Sequence, residues 1–271
     1  PFLVMSWGWD LLGDAGGDEL SRWITHFTLS SSDMLLCDCN AVRTAVQQVV
    51  SYPEDRIVQL PWGVDLHQFS PGVDTLAFKH QPGWEDSVVV LATRSWEPIY
   101  GINVLLESFH QAYTQDSRLR LILLGDGSLG PRIRALIAEY DLGDVVVCPG
   151  IVPHEQLPNY FRSADIYLSC ASCDGTSVSL LEAMATGLPA IVTDIPSNRE
   201  WVVSEENGWL APTGAAEVFA DRLVRAAHTG PGKRKAIAQK NRDIAETRAD
   251  WHANFKSLLK AYDGIRSIQV C

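Results

Sequence analysis

Apolar residues change their spacing repeatedly between about residue 87 and residue 193. Ser87–Thr93 (SVVVLAT) has no polar alternation, which is typical of a strand buried on both faces of a sheet. Gly101–Tyr113 then carries its apolar residues along one side of a helix. Strands that alternate with helices indicate an open parallel α/β sheet, whose ligands bind outside the carboxyl ends of the strands. The same alternation predicts strands at Leu119–Leu124, Val145–Val147, Ile166–Ser169 and Ala190–Thr193, and helices at Pro131–Tyr140, His154–Arg162 and Ser179–Thr186.

The chain before this region repeats the alternation in a shorter block, and the chain after it becomes mostly helical. Residues 72–86 (PGVDTLAFKHQPGWE) are rich in proline and glycine and are predicted to link two domains, although the two blocks could be halves of one sheet. The last eight or so residues are predicted to be a frayed tail. The other predicted elements are strands at Phe2–Ser6, Met34–Cys37 and Ile57–Leu60, and helices at Glu19–Phe27, Asn40–Ser51, Ala215–His228, Lys233–Thr247 and Asp250–Tyr262.

Charge and composition exclude several classes of protein. The 271 residues carry a formal net charge of −11, which argues against nucleic-acid binding and weakens membrane docking through basic residues. No apolar run approaches the ~20 residues that cross a bilayer. The chain opens at Pro1 with neither a methionine nor a signal peptide, so we expect that its true start is missing.

The six cysteines do not form the dense pattern of a secreted disulfide scaffold. Cys170 and Cys173 form a C-x-x-C pair, which could be a redox pair or half of a zinc site. A zinc site needs about four ligands, and the other close pair, Cys37 and Cys39, is spaced more tightly. We favour the interpretation that these are small apolar residues at a strand end, in a protein of the reducing cytoplasm.

The segment 169–194 (SCASCDGTSVSLLEAMATGLPAIVTD) carries the most chemistry. Asp174 lies just before a predicted helix, and Glu182 lies about two turns into it. The first N–H groups of a helix have no partner within the helix and attract anions. A carboxylate is only an acceptor and can serve two hydroxyls at once. The pair therefore suits a ligand with both phosphates and hydroxyls, such as a nucleotide-sugar.

Six segments occur in the order and spacing of a known family. They are LPWGVDLHQFSP (60–71), TRSWEPIYGINVLLESF (93–109), LLGDGSLGPRI (123–133), CPGIVPHEQLPNYFRSADIYLS (148–169), the D-x7-E segment and NGWLAPTGAAEVFADRL (207–223). The chain resembles the family 4 retaining glycosyltransferases, which have the GT-B architecture, over nearly all of its length. The family implies two Rossmann-like domains with parallel sheets, of which the N-terminal, acceptor-side one is incomplete here. It also implies a nucleotide-sugar site in the C-terminal domain, and neither an essential metal nor another cofactor.

The resemblance predicts domains at residues 1–75, 76–249 and 250–271, the last a helix and tail that cross back toward the first domain. The implied activity is transfer of a sugar, with retention of configuration, from a UDP- or GDP-linked donor to a sugar, lipid-linked or small-molecule acceptor. Relatives often act on lipid-linked acceptors, so peripheral membrane contact stays open for a protein expected in the cytoplasm. Two alternatives remain: a weak or inactive nucleotide-binding remnant or partner subunit, and a nucleotide-sugar epimerase of the same fold.

The resemblance assigns catalytic and donor-binding roles to side chains at the strand ends. Arg94 would hold the diphosphate and stabilise the departing charge, unless it forms a surface salt bridge. Tyr100 stands where relatives carry a lysine. Asp174, where relatives carry a glutamate, would contact the transferred sugar, or else be an ordinary turn residue. Glu182 would bind the ribose, or else form a capping box with Ser179.

Backbone groups and small residues complete the predicted donor side. Gly125 and Gly127 flank a turn that in the family passes close to the nucleotide. This turn lacks the third glycine of a dinucleotide fingerprint and could be an ordinary strand-to-helix turn. The resemblance also assigns Ile151 to the donor site. The backbone amides at the helix start either meet the diphosphate or the sugar, or belong to a plain helix cap: Thr176, Ser177 and Val178.

The predicted acceptor side lies near the start of the chain. Trp7 occupies the place where some relatives carry a histidine that faces the reacting centre, so no general base is assigned. Gly8 and Asp10 are expected to line the cleft. Trp9 either stacks on a sugar ring or is buried.

Three further residues have mainly structural expectations. In the segment Trp62–Asp65 and the following residues, Asp65 is expected to cap a turn locally and Phe69 to anchor the domain junction. His154 opens a predicted helix and either caps it or lies near the base pocket.

Overall fold

The computed structural model describes residues 1–13, 18–73, 76, 78 and 81–267, with side chains up to residue 265. The strands within these ranges form two parallel sheets. The first sheet contains β1 (Leu3–Ser6), β2 (Met34–Cys37) and β3 (Ile57–Gln59), paired in that order. The second contains β4 (Val88–Ala92), β5 (Leu119–Leu124), β6 (Val146–Gly150), β7 (Ile166–Ser169), β8 (Ala190–Thr193) and β9 (Gly208–Ala211), in the order β6-β5-β4-β7-β8-β9.

Helices connect the strands and cover the sheets. In the first block, α1 and α2 join consecutive strands. In the second block, one face of the sheet packs against α3, α4 and α8, and the other packs against α5, α6 and α9. The helices are α1 (Glu19–Ser30), α2 (Asn40–Val49), α3 (Ile102–Tyr113), α4 (Gly130–Glu139), α5 (Leu157–Arg162), α6 (Val178–Thr186), α7 (Pro196–Arg199), α8 (Ala216–Ala227), α9 (Pro231–Arg248) and α10 (Trp251–Ser267).

The α/β fold class is confirmed: the chain has two Rossmann-like units with parallel sheets, and each predicted strand overlaps an observed one. β9 and α7 were not predicted; α7 is a single turn (PSNR) without an apolar stripe, and β9 (GWLA) is a short strand. The predicted frayed tail is wrong up to Ser267, where α10 ends. Residues 268–271 lie outside the described residues.

The predicted linker is irregular where it is described, but two of its aromatic residues anchor it. Phe78 and Trp84 are buried in the core of the second sheet and pack against each other with ring centroids 5.8 Å apart. Residues 74, 75, 77, 79 and 80 of this segment lie outside the described residues. Phe78 and Trp84 therefore belong to the second unit.

The chain crosses between the two units twice, at residues 63–64 and at residues 249–251, and the two crossings lie side by side. At the first, Gly63 has φ +86°, and a Cβ there would lie 2.6 Å from the Ala249 carbonyl oxygen. The Val64 amide donates to that oxygen at 2.8 Å, and the Trp251 amide donates to the Val64 carbonyl at 3.1 Å. Beyond this crossing, Leu258 and other residues of α10 pack against the first sheet.

Among the residues that the structure describes, no helix is long and apolar enough to cross a membrane.

Candidate functional site

Two loops meet where the strand order of the second sheet reverses, between β4 and β7. Arg94 follows β4 and Asp174 follows β7, and they form an ion pair with Nη2 2.9 Å from Oδ2. Arg94 Nη1 also donates to Ser177 Oγ at 3.0 Å. Burial raises the pKa of Asp174, and the guanidinium offsets only part of this. The structure thus brings together the two side chains that were expected to be catalytic.

The ring of Tyr100 packs against the Arg94 guanidinium and adds no charge to the site. The guanidinium carbon of Arg94 lies 4.1 Å from the centre of the Tyr100 ring, in the arrangement of a cation–π contact. Gly101 follows with φ +61°, and a Cβ there would lie 2.4 Å from the Cys170 carbonyl oxygen. The glycine therefore lets this loop pack against the end of β7. The tyrosine holds the cation in place where relatives were expected to have a second cation.

Glu182 faces the same site from the second turn of α6. It is only 4% exposed, and its Oε1 lies 3.3 Å from His154 Nε2. Burial raises the pKa of Glu182 to about 8, and Arg94 offsets part of the rise. The capping-box alternative is wrong, because the hydroxyl of Ser179 pairs with Tyr167 Oη at 2.7 Å and Ser177 is the N-cap residue. His154, whose contact is with Glu182, lies beside this carboxylate and does not act as a cap.

A cavity of about 300 Å³ opens between these groups, within the size range of small-molecule sites. It combines a cation, a buried carboxylate and hydroxyls at a sheet edge, which is the chemistry that a phosphate- and hydroxyl-bearing ligand requires. Its lining comprises Thr93, Arg94, Ser95, Tyr100, Leu157, Val178, Ser179 and Glu182.

The glycine turn after β5 packs against the loop that carries Arg94. Gly125 has φ +99°, and a Cβ there would lie 2.7 Å from the Arg94 carbonyl oxygen. A Cβ on Gly127 would lie 2.6 Å from the Trp96 carbonyl oxygen. These glycines therefore allow a close approach of protein backbone, and contact with a nucleotide stays a prediction. Ile151, 80% exposed, follows β6 at the same sheet edge but does not line the cavity.

The helix-start amides do not all face the cavity. The Thr176 amide donates to Asp38 Oδ2 at 2.8 Å, and the Thr176 hydroxyl donates to the Asp38 carbonyl at 2.8 Å. The expectation that the Thr176 amide is available to a donor is therefore corrected, since Asp38, which follows β2 in the first unit, accepts its hydrogen bond. Ser177 binds Arg94 through its hydroxyl, and Val178 lines the cavity. Asp38 had no signal in the sequence, because its partner is 138 residues away.

The acceptor-side residues lie across from this loop. Trp7 is 41% exposed and stacks on Trp62 with ring centroids 4.0 Å apart. Trp62 in turn packs against Trp251 at 5.7 Å. Gly8 has φ +105°, and a Cβ there would lie 2.5 Å from the Gly175 amide nitrogen. The backbones of the two units thus touch directly beside Asp174.

Trp9 and Asp10 turn away from that contact. Trp9 is 49% exposed, so the buried alternative is wrong, and its ring lies over Gly13 of its own helical turn. Asp10 Oδ1 accepts a hydrogen bond from Ser6 Oγ at 2.8 Å. Asp10 therefore orders the end of β1, and its contact with an acceptor stays a prediction.

Two structural expectations from the sequence are confirmed. Asp65 Oδ1 accepts from the His67 amide at 2.9 Å, which is a local cap, and Phe69 is buried at the junction. Cys170 is also buried in the core of the second sheet, and burial raises the pKa of its thiol. Within the described ranges, no group of three or more His, Cys, Asp or Glu side chains is arranged to hold a metal ion.

Known proteins are similar to this chain in sequence and in fold. The family described as Glycosyl transferases group 1 matches residues 74–244. WcaL of Escherichia coli, named for colanic acid biosynthesis, is 28% identical over 205 residues, which cover 73% of this chain and 49% of WcaL. An Escherichia coli alpha-1,3-galactosyltransferase, named for UDP-Gal and alpha-D-GlcNAc-diphosphoundecaprenol, is 24% identical over 211 residues, covering 75% of this chain and 54% of that protein.

Solved structures agree at the level of the fold. Anabaena HepE, in complex with UDP and glucose, superposes with a TM-score of 0.85 at 18% identity, covering 97% of this chain and 71% of HepE. These neighbours establish the GT-B type of fold. The chain spans about half the length of the curated relatives that it matches.

Proposed function

The chain belongs to the family of Glycosyl transferases group 1, and on that basis we propose that it transfers a sugar, with retention of configuration, from a nucleoside diphosphate sugar to an acceptor. The observation that carries this proposal is the Arg94–Asp174 pair at the point where the strand order reverses, next to the buried Glu182. The donor has a negatively charged diphosphate, which a cation binds, and hydroxyls on the ribose and on the transferred sugar, which carboxylates bind. Arg94 serves the diphosphate, Glu182 the ribose and Asp174 the transferred sugar.

Arg94 acts on the departing diphosphate. As the glycosidic bond breaks, negative charge grows on that group, and a fixed guanidinium lowers the energy of the transition state. Because Arg94 already pairs with Asp174, an arriving diphosphate competes for the same guanidinium. Asp174 is then released toward the sugar. In this scheme the leaving phosphate takes the proton of the acceptor hydroxyl, and neither an enzyme nucleophile nor a metal takes part.

UDP is the donor nucleotide we favour, with GDP as the alternative, because UDP is the nucleotide named for HepE and for the galactosyltransferase. Calorimetry with UDP, GDP and ADP tests the site. We expect selective binding of one nucleotide, weakened by about 30-fold or more in Arg94→Ala and clearly weakened in Glu182→Ala. Arg132→Ala, an exposed arginine paired with Glu139, is the control and should bind normally. Absence of binding by any nucleotide to the folded chain would contradict the donor site and favour the inactive remnant.

The acceptor is proposed to approach along the exposed face of the Trp7 ring, beside the place where the backbones of the two units touch. The outer face of Trp7, backed by Trp62, is suited to the C–H face of a sugar ring. A transfer assay with methyl glycosides in EDTA tests the metal-free reaction, and NMR of the anomeric proton tests retention. Product formed from the donor without any acceptor would favour the epimerase instead.

We also propose that α1 rests on the surface of a membrane, as a lipid-linked acceptor would require. Leu20, Trp23, Ile24 and Phe27 recur at helical spacing and are all exposed, which is the pattern of an interfacial helix. We expect co-sedimentation with phosphatidylcholine vesicles that persists at high salt, because the contact is apolar. Trp23→Ser should reduce it severalfold, and His26→Ser, outside the stripe, should not. Equal vesicle binding by both variants, or none by the unaltered chain, would contradict this part.

A further inference from the structure

Asp38 is a buried carboxylate that the donor chemistry does not use. It follows β2 on the first sheet and is only 3% exposed. Its Oδ2 accepts from the Thr176 amide, and its carbonyl oxygen accepts from the Thr176 hydroxyl, both at 2.8 Å. Two bonds between one pair of residues define an orientation as well as a distance. They join the acceptor-side sheet to the loop that carries Asp174.

A second contact secures the same turn of the first unit. The amides of Asn40 and Ala41, at the start of α2, donate to the two carboxylate oxygens of Glu200 at 3.1 and 3.0 Å. Glu200 follows α7 in the second unit. Residues 38–41 are therefore bound to the second unit at both ends.

The two units approach so closely at this place that residue 175 has no room for a side chain. A Cβ on Gly175 would lie 2.3 Å from Asp38 Oδ2 and 2.6 Å from the Trp7 carbonyl oxygen. The second unit fixes the other end of the loop, because Ser197 Oγ donates to the Asp174 carbonyl at 2.8 Å. The conformation of residues 174–176 thus depends on both units.

The cost of this arrangement indicates a role beyond packing. A buried carboxylate without full hydrogen bonding is destabilising. No oxygen or nitrogen donor of the described residues reaches Oδ1 of Asp38, and the thiol of Cys39, a weak donor, is the other polar group near the carboxylate. Burial raises the pKa of Asp38, and the charge of Asp174 raises it further. A contact that costs stability and that holds the loop of the reacting centre is explained if placing that loop is its function.

From these contacts we infer that Asp38 is a positioning residue for sugar transfer. It binds Thr176 from across the cleft and so sets Asp174 in its working position only when the two units are together. This inference rests on the proposed function for its catalytic consequence. The dependence of the loop conformation on Asp38, which is the structural part of the inference, does not rest on the proposed function.

Hydrogen exchange of the whole chain, without any ligand, tests whether the loop conformation depends on Asp38. We expect peptides covering residues 174–178 to exchange at least tenfold faster in Asp38→Ala. Asp38→Asn keeps a side-chain oxygen for the Thr176 amide and should restore most of the protection. Asp55→Ala removes an exposed carboxylate of the same unit and is the control. Unchanged exchange in Asp38→Ala, with the circular dichroism melt of the unaltered chain, overturns the inference.

Kinetics test the catalytic consequence. Asp38→Ala should lower kcat at least tenfold while the Kd for UDP stays within twofold, and Asp38→Asn should recover most of kcat. Equal loss of UDP binding in Asp38→Ala and Asp38→Asn would overturn the positioning role and place Asp38 in the donor site. If the unaltered chain binds no nucleotide, the proposed function fails, and the exchange experiment still decides the role of Asp38 in holding the loop.

Discussion

The proposed donor side and the proposed acceptor side of the cleft differ in the side chains that form them. On the donor side, Arg94, Asp174 and Glu182 are largely buried and contact one another or neighbouring polar groups. On the acceptor side, Trp7 and Trp9 are about half exposed. The proposed donor side is therefore a site of buried polar groups that contact one another, and the proposed acceptor side is a surface of aromatic rings.

This difference determines how each side should respond to mutation. Removing one partner of a buried charged pair leaves the other charge uncompensated, at a cost of about 3–5 kcal/mol. Losing one aromatic contact costs about 0.5–1.5 kcal/mol. We therefore expect single substitutions to cost more free energy on the proposed donor side than on the proposed acceptor side.

The largest expected effect concerns the titration of the buried Glu182 carboxyl. Burial raises its pKa to about 8 in the folded chain, from an ordinary value of 4.5. Below pH 4.5 both the folded and the unfolded states hold the proton. Between pH 4.5 and 8 the unfolded chain loses its proton first, so the folded state becomes less stable as pH rises. Glu182→Gln does not titrate, and its free energy of unfolding should rise relative to the unaltered chain by about 2–5 kcal/mol between pH 5 and pH 9.

Denaturant unfolding at pH 5, 7 and 9, followed by tryptophan fluorescence, measures this difference. Glu217→Gln, at an exposed position of α8, is the matched control and should show no such trend. A constant difference between Glu182→Gln and the unaltered chain across this pH range would mean that the carboxylate is not held in a desolvated site. The contrast between the two sides of the cleft would then lose its main support.

Much of the donor side could be predicted because its signals are local. The burial of β4 follows from the run Val88–Ala92, and the position of Arg94 follows from the end of that strand. The eight-residue step from Asp174 to Glu182 placed one acid before α6 and the other on it. Each of these inferences uses residues that are close together in the chain.

The contacts between the two units could not be predicted in this way. Asp38 and Thr176 are 138 residues apart, and neither has an unusual local pattern. The stack of Trp7 on Trp62 depends on the angle between β1 and the junction, which no periodicity encodes. Long-range pairing is set by how the units pack, so it became visible only in the structure.

The next largest effect is expected at Gly175, where the two sides meet. A Cβ there would lie 2.3 Å from Asp38 Oδ2 and 2.6 Å from the Trp7 carbonyl, so the backbone must move. Overpacking of this kind costs about 1–3 kcal/mol, which corresponds to a loss of about 5- to 150-fold in transfer rate when the whole cost falls on the transition state. Steady-state kinetics of Gly175→Ala should show this loss mainly in kcat.

A second glycine provides the control for this substitution. Gly143 has no atom within 4 Å of an added Cβ, and Gly143→Ala should leave the transfer rate unchanged. If Gly175→Ala were as active as Gly143→Ala, the two backbones would have to separate during turnover. The charged and aromatic sides would then work independently of each other.

The smallest effect is expected at Trp7, and it tests the acceptor side alone. Trp7→Ala removes the ring that stacks on Trp62 at 4.0 Å and leaves the Arg94 pair untouched. Losing one stacking contact should raise the acceptor KM by about 3- to 10-fold, with no change in the Kd for UDP.

Trp9→Ala is the matched control, because the ring of Trp9 lies over Gly13 of its own turn. Equal effects of the two substitutions on the acceptor KM would mean that exposed aromatic area, and not the supported Trp7 face, recognises the acceptor. A weaker affinity for UDP in Trp7→Ala would instead show that the aromatic side and the charged side form one site.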